Sequence, residues 1–74
     1  MHITLNGESY ELANQQPTLV DLLQQLQLID KRVAIEVNGQ IVPRSEHAST
    51  TIQADDTIEI VQAIGGGQAQ QPAS

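Results

Sequence analysis

Few side chains in this sequence are of the kinds that carry chemistry, and their spacing predicts no catalytic group. The two histidines, His2 and His47, lie far apart, and the 74-residue chain has no cysteine to join them in a metal site. Asp55 and Asp56 are adjacent acids, but general acid–base catalysis needs two carboxyl groups aimed at one substrate. Residues 54–57 have the composition of a turn, in which the acids accept hydrogen bonds from nearby backbone N–H groups. We therefore expect no catalytic residue and no metal site.

The C-terminal part of the chain is unusual in a different way. Beyond Ile64 the sequence changes abruptly to Gly65, Gly66 and Gly67, which have no side chains, and then to a polar segment over 68–74. This stretch has nothing to bury, so we expect a flexible, glycine-rich tail over residues 65–74.

The charge balance excludes several classes of partner. Nine acidic residues against three basic ones give a formal net charge of −6. Nucleic acid and anionic membrane surfaces both select clustered basic residues, and the sequence shows no basic stripe. No apolar run approaches the roughly 20 residues of a membrane span, and Met1 to Leu5 alternates apolar and polar residues, unlike a secretory signal. We expect a cytoplasmic protein with no nucleic-acid or membrane partner, and the acidic charge suits a basic or mixed protein surface.

The first half of the sequence predicts a hairpin followed by a helix. Alternating apolar residues flank the dipeptide Asn6-Gly7, which favours a type I′ turn, so residues 2–13 are predicted to form a β-hairpin. Thr18 is a helix N-cap candidate, and Asp21 takes the place of the capping-box glutamate. An apolar stripe then predicts a helix of about ten residues. Its leucines are Leu19, Leu22, Leu23 and Leu26.

The second half predicts three more strands. Residues 33–37 form a dense apolar run, Asn38-Gly39 repeats the turn dipeptide, and residues 41–42 return before Pro43 ends the strand. Residues 58–64 form the last strand. Its inward-facing set is predicted as Ile58, Ile60, Gln62 and Ile64, which leaves Glu59, Val61 and Ala63 facing outward.

This order of elements predicts an α+β domain of the β-grasp type. One helix must bury its stripe against a mixed sheet of four to five strands, with the first and last strands parallel neighbours in the middle. The predicted domain covers residues 1–64, and the tail covers residues 65–74.

Two stretches of the sequence form a recognisable pattern. The first is Val37-Asn38-Gly39-Gln40-Ile41-Val42-Pro43-Arg44, which lies between the third and fourth strands. The second is the last strand running into the glycines, Ile60-Val61-Gln62-Ala63-Ile64-Gly65-Gly66-Gly67. Together with the early Asn-Gly hairpin and the start of the helix, they resemble the ThiS family, the ubiquitin-like sulfur carriers of thiamin biosynthesis. The resemblance covers residues 1–67.

The resemblance implies a protein co-substrate rather than an enzyme. Members of the family carry sulfur as a C-terminal thiocarboxylate, here on Gly67, while Gly65 and Gly66 let the tail thread into a partner's active site. A ThiF-like adenylating enzyme activates the glycine carboxylate with ATP, and a cysteine desulfurase supplies the sulfur. A ThiG-like thiazole synthase then receives it. The carrier itself binds no cofactor. Val61, Ala63 and Arg44 are the predicted partner contacts.

One departure from the family pattern leaves other functions open. Seven residues follow Gly67, so its carboxylate is free only if a protease removes residues 68–74. A sulfur carrier for molybdopterin or tRNA thiolation shares the same mechanism, although the Val-Pro-Arg stretch favours thiamin. A non-covalent ubiquitin-like interaction module, which never reacts at its C-terminus, is the third alternative.

Overall fold

The chain begins with a β-hairpin built around Asn6-Gly7. In the computed structural model, strand β1 (His2–Leu5) pairs antiparallel with strand β2 (Glu8–Glu11). Asn6 and Gly7 have φ angles of 51° and 83°, the left-handed conformations that a type I′ turn requires. No atom lies within 4 Å of a β-carbon built on Gly7, so glycine is needed there for its backbone conformation and not for space. The predicted first hairpin is confirmed.

Helix α1 (Leu19–Gln25) begins at a capping box. The Thr18 hydroxyl accepts a hydrogen bond from the Asp21 N–H at 3.2 Å, and the Thr18 N–H donates to the Asp21 carboxylate at 2.9 Å. Two backbone N–H groups without helical partners are thereby satisfied. The start predicted from the sequence is confirmed, and the helix buries three leucines, Leu19, Leu22 and Leu23.

The helix ends earlier than its leucine stripe predicts. It has seven residues, and Leu26 is the C-cap rather than part of the last turn. Gln27 follows with φ of 61°. Its N–H donates to the Gln24 carbonyl at 3.1 Å, and the Leu28 N–H donates to the Leu23 carbonyl at 2.7 Å. These two bonds form a Schellman motif, which satisfies the last carbonyls and turns the chain away.

A second hairpin repeats the geometry of the first. Strand β3 (Val33–Val37) pairs antiparallel with strand β4 (Gln40–Val42). Asn38 and Gly39 form the turn between them, with φ angles of 52° and 87°. The prediction of a strand, an Asn-Gly turn and a returning strand is confirmed.

Strand β5 (Thr57–Gln62) completes a five-stranded sheet in the order β2-β1-β5-β3-β4. It pairs parallel with β1 through Thr4–Thr57 and Leu5–Ile58, and antiparallel with β3. The first and last strands are thus central, parallel neighbours, as predicted. In the part of the chain that the structure describes, one helix packs against this mixed sheet, which is the β-grasp arrangement.

The core is built from aliphatic side chains that the helix and the sheet bury together. The sequence contains neither Phe nor Trp, so close packing depends on branched side chains that interlock. Its buried members are Ile3, Leu12, Leu19, Leu22, Leu23, Ile35, Ile52, Ile58 and Ile60.

The structure describes residues 1–62. The predicted domain boundary at Ile64 and the predicted tail over residues 65–74 lie outside this range. Among the described residues, no helix has both the length and the apolar character needed to cross a membrane.

Candidate functional site

Strand β5 carries alternate side chains to the two faces of the sheet. Ile58 and Ile60 are buried in the core, whereas Glu59 and Val61 are exposed, Val61 by 63%. The predicted alternation is confirmed for these four residues. Gln62 lies opposite Val33, which packs against the core, so it shares the inner face as predicted. Its side chain is nevertheless exposed, because the buried cluster ends at Ile60.

The face of the sheet opposite the helix combines apolar and acidic side chains from three strands. Val61 lies opposite Ala34, and Glu59 lies opposite Glu36. Ile41, which is 70% exposed, lies opposite Glu36 on the other side. Directly opposed residues share a face of a sheet, so these five residues form one surface, called here the outer face. It presents two carboxylates between exposed aliphatic groups.

One end of the outer face opens into a hollow with two arginines. Arg44 begins a short 3-10 turn (Arg44–Glu46) just after β4, and Arg32 immediately precedes β3. The hollow has a volume of about 360 Å³. Its lining residues, which define the arginine hollow, are Arg32, Val33, Ala34, Arg44 and Val61.

The structure therefore brings together two of the predicted partner contacts. Val61 and Arg44 line the same hollow, although 17 positions separate them in the sequence. Ala63, the third predicted contact, lies outside the described residues. So do Gly65–Gly67, the predicted tail with its thiocarboxylate-bearing end. The role of all these residues as contacts stays a prediction.

Ile41, Ala34 and Arg32 belong to the outer face or the arginine hollow but were not predicted there from the sequence. The two-residue turn at Asn38-Gly39 sets Val37 opposite Gln40. Counting outward from that pair places Ile41 opposite Glu36, so the turn type determines that these two residues share a face. Ala34 shares that face because it lies two residues from Glu36. No comparable signal identifies Arg32, since its neighbours depend on the order of strands in the sheet.

A second hollow, of about 250 Å³, shares Val33 and Arg44 with the first and also includes Lys31 and His47. His47 is only 4% exposed, and its Nε2 lies 3.0 Å from the Val42 carbonyl. A carbonyl oxygen can only accept, so Nε2 carries a hydrogen and donates it. His47 thus ties the segment after the 3-10 turn to β4.

The remaining candidate residues stabilise turns. His2 Nδ1 lies 3.2 Å from the Asp55 carboxylate, at an exposed site. Asp56 accepts a hydrogen bond from the Gln53 N–H at 2.9 Å, which is the turn role predicted for this pair of acids. Within residues 1–62 no three His, Asp or Glu side chains converge as ligands of a metal ion.

A mixed five-stranded sheet on one helix defines the class of the protein as a ubiquitin-like β-grasp domain. The model of the ThiS family matches residues 3–67, a range that ends at Gly67. The chain belongs to the ThiS family. The resemblance drawn from the sequence alone is confirmed.

Curated relatives and a solved structure agree with this membership. The chain is 37% identical over 67 residues to the sulfur carrier protein ThiS of Escherichia coli, covering 90% of this chain and 100% of that protein. The crystal structure of the thiamine biosynthesis protein ThiS from Geobacter metallireducens superposes with a TM-score of 0.78 at 28% identity. That comparison covers 90% of this chain and 100% of the other.

A longer relative contains a region similar to this chain. The thiazole synthase of Magnetococcus marinus is 43% identical over 68 residues, which are 92% of this chain. The chain spans about a fifth of the length of that synthase, since the match covers 21% of it.

Proposed function

We propose that this protein carries sulfur for the thiazole moiety of thiamin, as a thiocarboxylate on Gly67. The observation that carries the proposal is the family match over residues 3–67, which stops at the last of the three glycines. The Escherichia coli relative, named a sulfur carrier protein, is covered along its whole length by this chain. The seven residues after Gly67 lie beyond the family match.

The proposed chemistry begins with a glycine carboxylate, which is a poor electrophile. A ThiF-like adenylating enzyme joins it to the α-phosphate of ATP, releasing pyrophosphate and leaving an acyl-adenylate. A persulfide sulfur, derived from cysteine by a desulfurase, then displaces AMP. A thiol then attacks the sulfur atom that remains bound to the persulfide's cysteine and forms a disulfide with it, so that the thiocarboxylate is released as the leaving group. The carrier supplies the reactive end and a recognition surface, while its partners supply catalysis.

The structure supports this division of labour. Strand β5 lies at the centre of the sheet and precedes the glycines in the sequence, and Val61 near its end belongs to both the arginine hollow and the outer face. A tail of glycines leaves no β-carbon to clash in a narrow active site. Exposed aliphatic groups such as Val61 and Ile41 form a surface of the kind that partner proteins cover.

The proposed recipient of the sulfur is a ThiG-like thiazole synthase. The thiazole synthase of Magnetococcus marinus contains a region similar to this chain, and domains joined in one protein commonly act together. A pulldown with the full-length chain tests this assignment. Recovery of thiazole synthase supports thiamin, whereas recovery of molybdopterin synthase or a tRNA-thiolating enzyme redirects the carrier to another pathway.

The deciding experiment is the intact mass of the chain after incubation with the adenylating enzyme, ATP, cysteine and the desulfurase. A chain ending at Gly67 should become heavier by the difference between a sulfur and an oxygen atom. Its matched control ends at Gly66 and should gain no sulfur. If the chain ending at Gly67 stays unmodified, sulfur carriage is wrong. If sulfur is found on Ser74 of the full-length chain, removal of residues 68–74 is unnecessary and that part of the proposal fails.

A further inference from the structure

All the lysine and arginine side chains of this acidic protein lie around two adjoining hollows. The chain has three such residues, and they are Lys31, Arg32 and Arg44. Arg44 lines both hollows, Lys31 lines the smaller and Arg32 lines the larger. Elsewhere the surface of residues 1–62 is acidic or neutral apart from His2 and the N-terminal amine, so the only strongly basic area of these residues is this one.

These three cations have no acidic partners within the described chain. All nine Asp and Glu residues lie within residues 1–62. Ion pairs within 4.0 Å among those residues involve only the N-terminal amine and His2. Even Asp30, next to Lys31, and Glu46, in the same 3-10 turn as Arg44, form no such pair. In a chain with three times as many acids as strong bases, the cations remain available to an external anion.

The arginine hollow also has an apolar floor. Val33, Ala34 and Val61 line it together with the two arginines. A guanidinium group binds a carboxylate through two parallel hydrogen bonds, and the aliphatic floor accommodates a neighbouring apolar side chain. A small hydrated phosphate would use the arginines but leave this floor uncovered.

The arginine hollow lies at the end of the sheet where β5 ends, and the glycines follow β5 in the sequence. Gln62, the last described residue, lies opposite Val33, and Val61 lies opposite Ala34. Arg32 directly precedes Val33 in the sequence. A protein that takes hold of the tail therefore meets the arginine hollow at the base of that tail.

We infer that the arginine hollow receives an acidic segment of the adenylating enzyme, with a carboxylate on Arg32 and Arg44 and an adjacent aliphatic side chain on the apolar floor. The inference rests on the proposed function for the identity of the partner. An acidic carrier repels an acidic surface in most orientations, and a single basic patch makes one orientation favourable. The patch thus directs the tail, and not another edge of the sheet, toward the partner.

The test measures binding of the full-length chain to the adenylating enzyme, without nucleotide, at increasing salt concentration. The double variant Arg32→Gln/Arg44→Gln should bind about tenfold more weakly and with a shallower salt dependence, because a desolvated charge pair is lost. Both arginines are exposed, so folding should be unaffected, and urea unfolding verifies this. The matched control is Gln15→Glu/Gln16→Glu, which changes net charge equally in an exposed loop before the helix. It should bind like the unmodified chain.

Charge exchange identifies the partner group. In this experiment, each exposed Asp or Glu of the enzyme is changed in turn to Arg. One of these enzyme variants should restore binding to the Arg44→Glu variant of the carrier. If Arg32→Gln/Arg44→Gln binds like the unmodified chain, or if the Gln15→Glu/Gln16→Glu control loses as much affinity, the inference is wrong. A third outcome is that AMP or inorganic phosphate competes with the enzyme for the hollow and no enzyme variant restores binding. In that case the arginines bind a phosphate, and the inference of an acidic segment is wrong. Transfer of sulfur to Gly67 is measured separately, so its absence refutes the proposed function without deciding the binding comparison.

Discussion

The side-chain oxygen of Asn6 accepts a hydrogen bond from the backbone N–H of Ile60 at 2.8 Å, across 54 positions of sequence. Asn6 occupies the left-handed position of the first turn, and its own N–H donates to the Ile58 carbonyl at 2.9 Å. The turn residue thus extends the parallel pairing of β1 and β5 beyond the end of β1. One asparagine both shapes the first hairpin and holds the strand that leads to the tail.

Replacing Asn6 should separate these two roles. Asn6→Gly keeps the positive φ but leaves the Ile60 N–H without its acceptor, so we expect a loss of about 1–2 kcal/mol in the free energy of unfolding. Asn6→Asp keeps an acceptor and tolerates the left-handed conformation, so its loss should stay below about 0.5 kcal/mol. Urea unfolding followed by circular dichroism gives both values. Equal losses in the two variants would show that the hydrogen bond contributes nothing measurable.

The second Asn-Gly turn should respond differently to the same substitution. The Asn38 side chain accepts from the Thr57 N–H at 2.9 Å and donates to an Asp56 carboxylate oxygen at 3.0 Å. Asn38→Asp would set two carboxylates against each other, so we expect a loss of about 1 kcal/mol at neutral pH. Asn6→Asp is the matched control, with the same change in net charge in the same type of turn. Identical stabilities of the two variants would contradict the role assigned to Asp56.

The local elements of this fold could be predicted from the sequence because local chemistry determines them. Both Asn-Gly turns, the Thr18 and Asp21 capping box and the alternation along β5 depend on neighbouring residues only. The helix end was not predictable in the same way. A leucine stripe continues past the last turn, but a Schellman motif closes the helix at Gln27, where neither glycine nor asparagine signals it.

The candidate site was only partly predictable, because it depends on contacts between distant segments. Val61 could be placed outward from the strand pattern, and Arg44 entered through the family resemblance. Arg32 lines the same hollow as Val61 and Arg44. This position could not be predicted, because it depends on the register of β3 against β5, which sets Val33 opposite Gln62. His47 is likewise buried and bonded to the Val42 carbonyl, neither of which any local pattern indicates.

The unusual helix end offers a stabilising substitution. Gln27 has a left-handed backbone conformation, which costs a residue with a β-carbon about 1–2 kcal/mol. Gln27→Gly removes that cost, partly offset by the greater freedom of glycine in the unfolded chain. We expect a net gain of roughly 0.5–1 kcal/mol in urea unfolding. Gln24→Gly, at an exposed position inside the helix, should instead lose about 1 kcal/mol. A loss of stability in Gln27→Gly would contradict the assigned C-terminal motif.

Two like charges face each other on the outer face. Glu36 and Glu59 are directly opposed on adjacent strands, and neither forms an ion pair among residues 1–62. Glu59→Gln should stabilise the protein by roughly 0.2–1 kcal/mol at low salt, with the gain shrinking as salt screens the repulsion. Glu59→Lys should stabilise it further. Glu8→Gln, opposite Leu5, is the control of equal charge change. A gain from Glu8→Gln as large as that from Glu59→Gln would point to net charge and not to the opposed pair.

Substitutions on the two opposite faces of β5 should have separate effects, one on folding and the other on binding. Ile58 is completely buried, so Ile58→Ala should cost about 2–5 kcal/mol in the free energy of unfolding. Val61 is mostly exposed and lines the hollow with Arg32 and Arg44. In Val61→Asp the new carboxylate should pair with those arginines and occupy the place proposed for the partner's acid. We expect nearly unchanged urea unfolding but weaker binding to the adenylating enzyme, measured by titration calorimetry. Val61→Asp binding as tightly as the unmodified chain would show that the partner docks elsewhere on the domain.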